Sequence, residues 1–172
     1  MEHNVGSTHG GGEDLPKLEQ ATAGGANWFY WIAGLSLVNS VITVFGGGWG
    51  FIVGLGFTQI IDAIGMAIAE EMGSGAATAA KVIALVGSVL VSGVFVVFGY
   101  FAGKRQNWAF IVGMVIYAFD GVLFLLFADW LSVGFHGFAL FCIWSGFAAS
   151  RKLAGISPAP TGQEPQPDPI TP

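Results

Sequence analysis

Apolar residues dominate five long stretches of this chain, and most charged residues lie in the segments between and around them. The stretches cover residues 28–45, 51–69, 82–102, 108–127 and 131–149. A helix rises 1.5 Å per residue, so about 20 apolar residues cross the roughly 30 Å hydrocarbon layer of a bilayer. The runs are continuous, whereas membrane β-barrel strands alternate apolar and polar residues. We therefore predict an all-α integral membrane protein, with four or five transmembrane helices in a compact bundle.

The two ends of the chain differ from this pattern. Residues 1–26 are polar and glycine-rich, and residues 153–172 are proline-rich. Neither segment can bury a core, so we predict flexible tails around a transmembrane domain at 27–152, with at most a helical turn near 15–21. No short apolar run follows Met1, so we expect the first helix to act as an uncleaved signal anchor.

Composition agrees with a membrane protein and narrows its partners. Charged residues make up 10% of the 172 residues, against about 25% in soluble domains. The formal net charge is -5, and no basic stripe is present that would neutralise phosphates, so nucleic-acid binding is not expected. The single cysteine, Cys142, excludes a disulfide framework and a cysteine-based metal cluster.

The second stretch, residues 51–69, has two interpretations. Thr58, Asp62 and Gly65 fall on one helical face with Gln59 beside them, which makes a polar stripe. An aspartate at the bilayer centre costs about 2.5–3.5 kcal/mol on insertion scales. The stretch is either a fifth span, or a re-entrant or interfacial segment. Glycines lie before this stretch and at its start, at positions 46–48, 50, 54 and 56. They favour a flexible turn or a re-entrant entry where the backbone packs closely.

Basic residues predict the orientation. Lysine and arginine occur together at 104–105 and again at 151–152, after the last stretch. The positive-inside rule places both pairs, and hence the C-terminus, in the cytoplasm. With four spans, Lys17 also lies inside and only Lys81 lies outside, whereas five spans would move Lys17 outside. The distribution therefore favours four spans and a cytoplasmic N-terminus.

Small residues recur at helical spacing along the third and fourth stretches. They are Ala84, Ser88, Ser92, Gly99 and Gly103 in and after the third stretch, and Gly113 and Gly121 in the fourth. Such residues let helix backbones approach closely in lipid, where no hydrophobic force drives association. We expect them to pack helices within the bundle, with homo-oligomerisation as the alternative use.

One carboxylate lies well inside the fourth stretch. Asp120 precedes the turn at Trp130 by about ten residues and His136 follows it by about six, so their depths differ by about one helical turn. Adjacent antiparallel helices would then bring carboxylate and imidazole together. The pair would serve as a proton relay or ligand site, or as a structural hydrogen bond that clamps the hairpin. We favour the structural interpretation.

Two further polar residues complete the candidate site. Asn39 lies in a polar stripe of the first stretch, and Asp62 reaches a similar depth in the second. We predict an intramembrane polar cluster of Asp62, Asp120, His136 and Asn39. No catalytic, cofactor or metal motif is recognisable. A serine-protease dyad of Ser145 and His136 is excluded, because the two residues are nine positions apart on the same helix, about 13 Å along its axis.

The residues WAFIVGMVIYAFDGVLFLLFADWLSVGFHGFALF, with NWFYWIAGLSLVNSVI and GLGFTQIID, are similar to a family of small, uncharacterised bacterial multi-pass membrane proteins. The resemblance implies a location in the bacterial inner membrane and no particular activity. We expect a non-enzymatic accessory or structural component of a membrane assembly. Its partners would be the lipid bilayer and either a second copy or another membrane subunit. The alternative is a small transporter or proton-coupled channel that uses the intramembrane Asp and His residues.

Overall fold

The computed structural model describes residues 11–45, 54–72 and 74–156. These residues form five α-helices and no strand: α1 (Gly11–Val44), α2 (Gly56–Glu71), α3 (Ser74–Gly103), α4 (Asn107–Leu126) and α5 (Trp130–Gly155). The predicted all-α architecture is confirmed for this part of the chain. The predictions for residues 1–10 and 157–172 lie outside the described residues.

Three of the described helices are long and apolar enough to cross a membrane, as judged from length and composition. They are Gly75–Gly103, Asn107–Leu126 and Trp130–Gly155, which correspond to the last three predicted stretches. At most 39% of the apolar window of each helix is buried. Large apolar side chains such as Ile83, Phe119 and Phe141 are instead 67–72% exposed. An outer surface of this kind is suited to lipid.

Helix α1 begins earlier than the sequence indicated. The segment expected to be flexible up to residue 26 is helical from Gly11 onward. Tertiary contacts account for the difference, because Gly25 lies against Gly146 of α5 so closely that a Cβ on either glycine would come 2.6 Å from the other Cα. Arg105 also donates a hydrogen bond to Glu19 at 2.7 Å. At the other boundary, α5 continues beyond residue 152 to Gly155.

Contacts between helix ends define one end of the bundle, called here the basic end. It carries Lys104 and Arg105 in the α3–α4 turn and the Arg151–Lys152 pair in the last turns of α5. The Arg105–Glu19 bond brings the first part of α1 to this end, and Ser150 Oγ donates to Asn107 Oδ1 at 3.2 Å. The α4–α5 turn lies at the opposite end. The first part of α1 and the end of α5 therefore both lie at the basic end.

Aromatic rings and glycines fill the core. Phe29 of α1 is fully buried, and its ring centroid lies 6.1–6.3 Å from those of Phe95, Phe98 and Phe110. Gly113 of α4 leaves the space that the Phe29 ring occupies.

Most of the small residues predicted to pack helices are buried: Ala84, Ser88, Ser92, Gly99, Gly113 and Gly121. Gly103 differs, because it is exposed and no described atom lies within 4 Å of a Cβ built on it. It is the last residue of α3, beyond the helix–helix contacts.

Candidate functional site

Helix α2 begins inside the bundle. It has 16 residues, so it is about 24 Å long, whereas a bilayer core is about 30 Å thick. Leu55, which precedes it, is fully buried, and its backbone N–H donates to Ser36 Oγ of α1 at 2.7 Å. A Cβ on Gly56 would lie 2.9 Å from the Phe124 ring of α4. The first turn of α2 therefore lies between α1 and α4, away from both ends of the bundle.

The carboxylate of Asp120 satisfies the first backbone groups of α2. Its Oδ2 accepts the N–H of Gly56 at 2.8 Å, and its Oδ1 accepts the N–H of Phe57 at 2.9 Å. The N-cap residue Leu55 provides no side-chain cap bond of its own. The first N–H groups of a helix lack intrahelical partners and carry partial positive charge. Asp120, supplied by α4, therefore acts as the cap of α2.

His136 of α5 holds the other side of this carboxylate. Its Nε2 lies 3.0 Å from Asp120 Oδ2, and its Nδ1 lies 2.8 Å from the carbonyl oxygen of Ser132. A carbonyl only accepts, so Nδ1 carries a hydrogen. The contact between Nε2 and Oδ2 requires one further hydrogen between them. The pair is thus imidazolium with carboxylate, or imidazole with carboxylic acid, and its total charge is zero in either form.

Aromatic side chains fix the orientation of the imidazole. Tyr117 stacks on His136 with ring centroids 4.3 Å apart and an interplanar angle of 17°, and Phe124 lies 5.0 Å away. Gly121 faces the ring, and a Cβ there would come 3.2 Å from it. Asp120 and His136 are 0% and 2% exposed. The site is an enclosed hydrogen-bonded unit.

The structure confirms the predicted contact between Asp120 and His136, but it gives the other two candidates different partners. Asp62 is buried and accepts a hydrogen bond from Ser88 Oγ of α3 at 2.9 Å. Asn39 is buried next to Gly54, where a Cβ would come 2.8 Å from its Nδ2. Asp62 therefore joins α2 to α3, and Asn39 packs beneath the chain that leads into α2.

Sequence reasoning missed the backbone of Gly56 and Phe57 as the partner of Asp120. A signal was present in the glycines at 54 and 56, which mark a close approach of the backbone. Nothing in the sequence indicated which side chain the backbone would meet.

A cleft of about 200 Å³ separates α2 from the last turns of α4 and reaches the start of α2. Its lining residues are Gly56, Gln59, Ile60, Ala63, Leu123, Phe124 and Phe127. Gln59 is the polar side chain of this lining. The cleft ends at Gly56, whose N–H is bonded to Asp120.

Comparison of the chain with protein-family models, curated proteins and solved structures gave no match. The resemblance to small bacterial membrane proteins therefore stays a prediction.

Proposed function

We propose that this protein is a non-enzymatic multi-pass membrane protein in which α1, α3, α4 and α5 cross the bilayer and α2 is a re-entrant half-helix. The length of α2 and its start at the depth of Asp120 support this arrangement. The gathering of α1, the α3–α4 turn and the end of α5 at the basic end supports an even number of spans. The positive-inside rule makes that end cytoplasmic.

The observation that carries the proposal is the use of the Asp120 carboxylate within the protein. In hydrocarbon, every backbone N–H needs an internal partner, and a re-entrant backbone persists only where protein surrounds it. Asp120 supplies those partners to Gly56 and Phe57, and His136 balances its charge. The hydrogen-bonding capacity of the pair is therefore spent on holding α2, which is a structural role.

Outward-facing glycines support a role in a membrane assembly. Gly34 of α1 and both Gly134 and Gly137 of α5 are exposed, and no described atom lies within 4 Å of a Cβ built on any of them. Small residues on outer helix faces are typical of contacts between transmembrane helices. We therefore propose an accessory or structural component of a complex in a bacterial inner membrane.

Co-purification from native membranes tests this role. The protein, extracted in a mild detergent after crosslinking, is expected to bring down a membrane partner in fixed stoichiometry. Gly137→Leu should weaken that association, while Gly75→Leu, at the open start of α3, is the matched control. Recovery of the protein alone or only as a homo-oligomer, with no effect of Gly137→Leu, would contradict the accessory role.

A second candidate function is a small transporter or proton-coupled channel. The observation that favours it is the start of a half-helix within the bundle, beside a cleft, because transporters bind substrates at such interrupted helices. Purified protein in proteoliposomes would then carry a pH-dependent flux. Loss of that flux in a folded Asp120→Asn variant would replace the structural role with this one.

A further inference from the structure

We propose that the Asp120–His136 pair is a proton-operated latch. In its closed form the pair holds the start of α2 against α4, and it releases α2 when it takes up one further proton. The inference rests on the proposed placement of α2. It holds whether the protein is a subunit or a transporter.

The attachment of α2 to the rest of the bundle is uneven. Towards α3 the middle of α2 is held by the Asp62–Ser88 hydrogen bond and by close packing of Gly65 on Ala84. Towards α4 the cleft interrupts the packing, and the polar contacts are concentrated at the Asp120 carboxylate. A change at this one group therefore acts on the whole contact between α2 and α4.

The proton step follows from the hydrogen bonds. In the closed form the pair shares one hydrogen between Nε2 and Oδ2, and its total charge is zero. Uptake of one proton from water forms one O–H bond on Asp120 and leaves an imidazolium beside a neutral acid. The pair then carries one positive charge, and the positive end of the α2 dipole faces it with no anion between them. This repulsion, in a site shielded from water, drives the start of α2 outwards.

The titratable groups that face the pair include Tyr117 of α4, which stacks on His136, and Asp129 in the α4–α5 turn. Asp129, in the α4–α5 turn, interacts electrostatically with His136. Hydrogen bonds from the hydroxyl and then the backbone N–H of Ser132 hold the pKa of Asp129 below its usual range, so it stays ionised to a lower pH than an ordinary aspartate. On α2, Asp62 is bonded to Ser88 of α3, and α1 contributes the uncharged Ser36 and Asn39 near this point.

The cleft between α2 and α4 gives the proton its route. Its lining extends from Phe127, which follows α4 near the α4–α5 turn, to Gly56, whose N–H is bonded to Asp120. The latch therefore responds to the compartment at the end opposite the basic end.

A distance measurement between spin labels tests the latch in the full-length protein. Labels at Ala63→Cys on α2 and Phe127→Cys on α4, in a Cys142→Ser background, report on the cleft in lipid nanodiscs. Lowering the pH from about 8 to about 4, across the ordinary ranges of His and Asp, should lengthen this distance by about 5 Å, one helical turn. Labels at Val97→Cys on α3 and Phe141→Cys on α5 form the control pair, whose distance should stay constant.

The double variant Asp120→Asn/His136→Gln removes both groups of the pair that can take up a proton, so the distance between residues 63 and 127 should become independent of pH. An unchanged distance in the wild type would overturn the latch, and that result needs no variant to fold. Equal lengthening of the control pair would overturn it too, since the whole bundle would then be expanding. Persistence of the pH response in the double variant would assign it to another group. The labels report the position of α2 directly. Failure of the latch can therefore be distinguished from failure of the proposed accessory role, which co-purification tests, and from a different membrane topology, which cysteine labelling tests.

Discussion

Asp120 of α4 and His136 of α5 lie 3.0 Å apart between Oδ2 and Nε2, and the same carboxylate caps the first turn of α2. One side chain thus joins three helices. Two of them form a hairpin that short turns already hold together, whereas α2 meets α4 only through tertiary contacts. The consequences of changing this residue should therefore appear at α2.

Replacement of Asp120 by alanine should cost more stability than replacement by asparagine. Alanine leaves two backbone N–H groups and the imidazole without a partner, at a cost of about 3–5 kcal/mol for breaking a buried pair. The asparagine oxygen still accepts from Phe57 and its amide donates to neutral His136, so the cost should be about 1–3 kcal/mol. Reversible unfolding in bicelles measures both. Equal losses for the two variants would count against the capping role.

The close approach of α1 and α5 predicts a sharp contrast between neighbouring glycines. Gly25→Ala places a Cβ against the backbone of Gly146 and should destabilise the protein by about 1–3 kcal/mol. Gly24→Ala meets no described atom within 4 Å and should be neutral or stabilising by up to about 1 kcal/mol. The free energies of unfolding of the two variants test this. If Gly25→Ala were as stable as Gly24→Ala, the helices would not be in contact there.

Asp129 should contribute stability that depends on pH. Its side chain accepts hydrogen bonds from Ser132 Oγ at 2.6 Å and from Ser132 N at 3.2 Å, which lower its pKa in the folded protein. A lowered folded pKa gives stability that is full above the unfolded value, near pH 4, and is lost as pH falls through the folded value. The difference in unfolding free energy between wild type and Asp129→Asn should therefore shrink on acidification from pH 6. The effect should stay below about 1 kcal/mol, because the turn is open to solvent. A difference that grows on acidification would contradict this assignment.

The sequence predicted the parts of the fold that depend on local composition. The long apolar runs indicated α3, α4 and α5, and the short turn between the last two fixed the register that brings Asp120 to His136. The structure of residues 11–26 was not predicted, because its helix depends on a contact between Gly25 and Gly146 that no local pattern encodes.

The candidate site was predicted only in part, because its other contacts also depend on tertiary packing that no local pattern encodes. Depth in the membrane alone suggested that Asp62 lies next to Asp120. Asp62 is instead on the face of α2 that meets α3, where it accepts a hydrogen bond from Ser88. The bond from Asp120 to the Gly56 backbone links residues far apart in the chain, and it leaves no spacing signal.

A re-entrant α2 requires that α1 cross the membrane from the cytoplasm. Single cysteines at Gln20 in α1 and Ala128 in the α4–α5 turn, both exposed positions, test this in a Cys142→Ser background. A membrane-impermeant maleimide is added to intact cells, and again after permeabilisation. We predict that Ala128→Cys is labelled from outside and that Gln20→Cys reacts only after permeabilisation. Labelling of Gln20→Cys in intact cells, to the same extent as Ala128→Cys, would make the stretch containing α2 a fifth span and contradict the account.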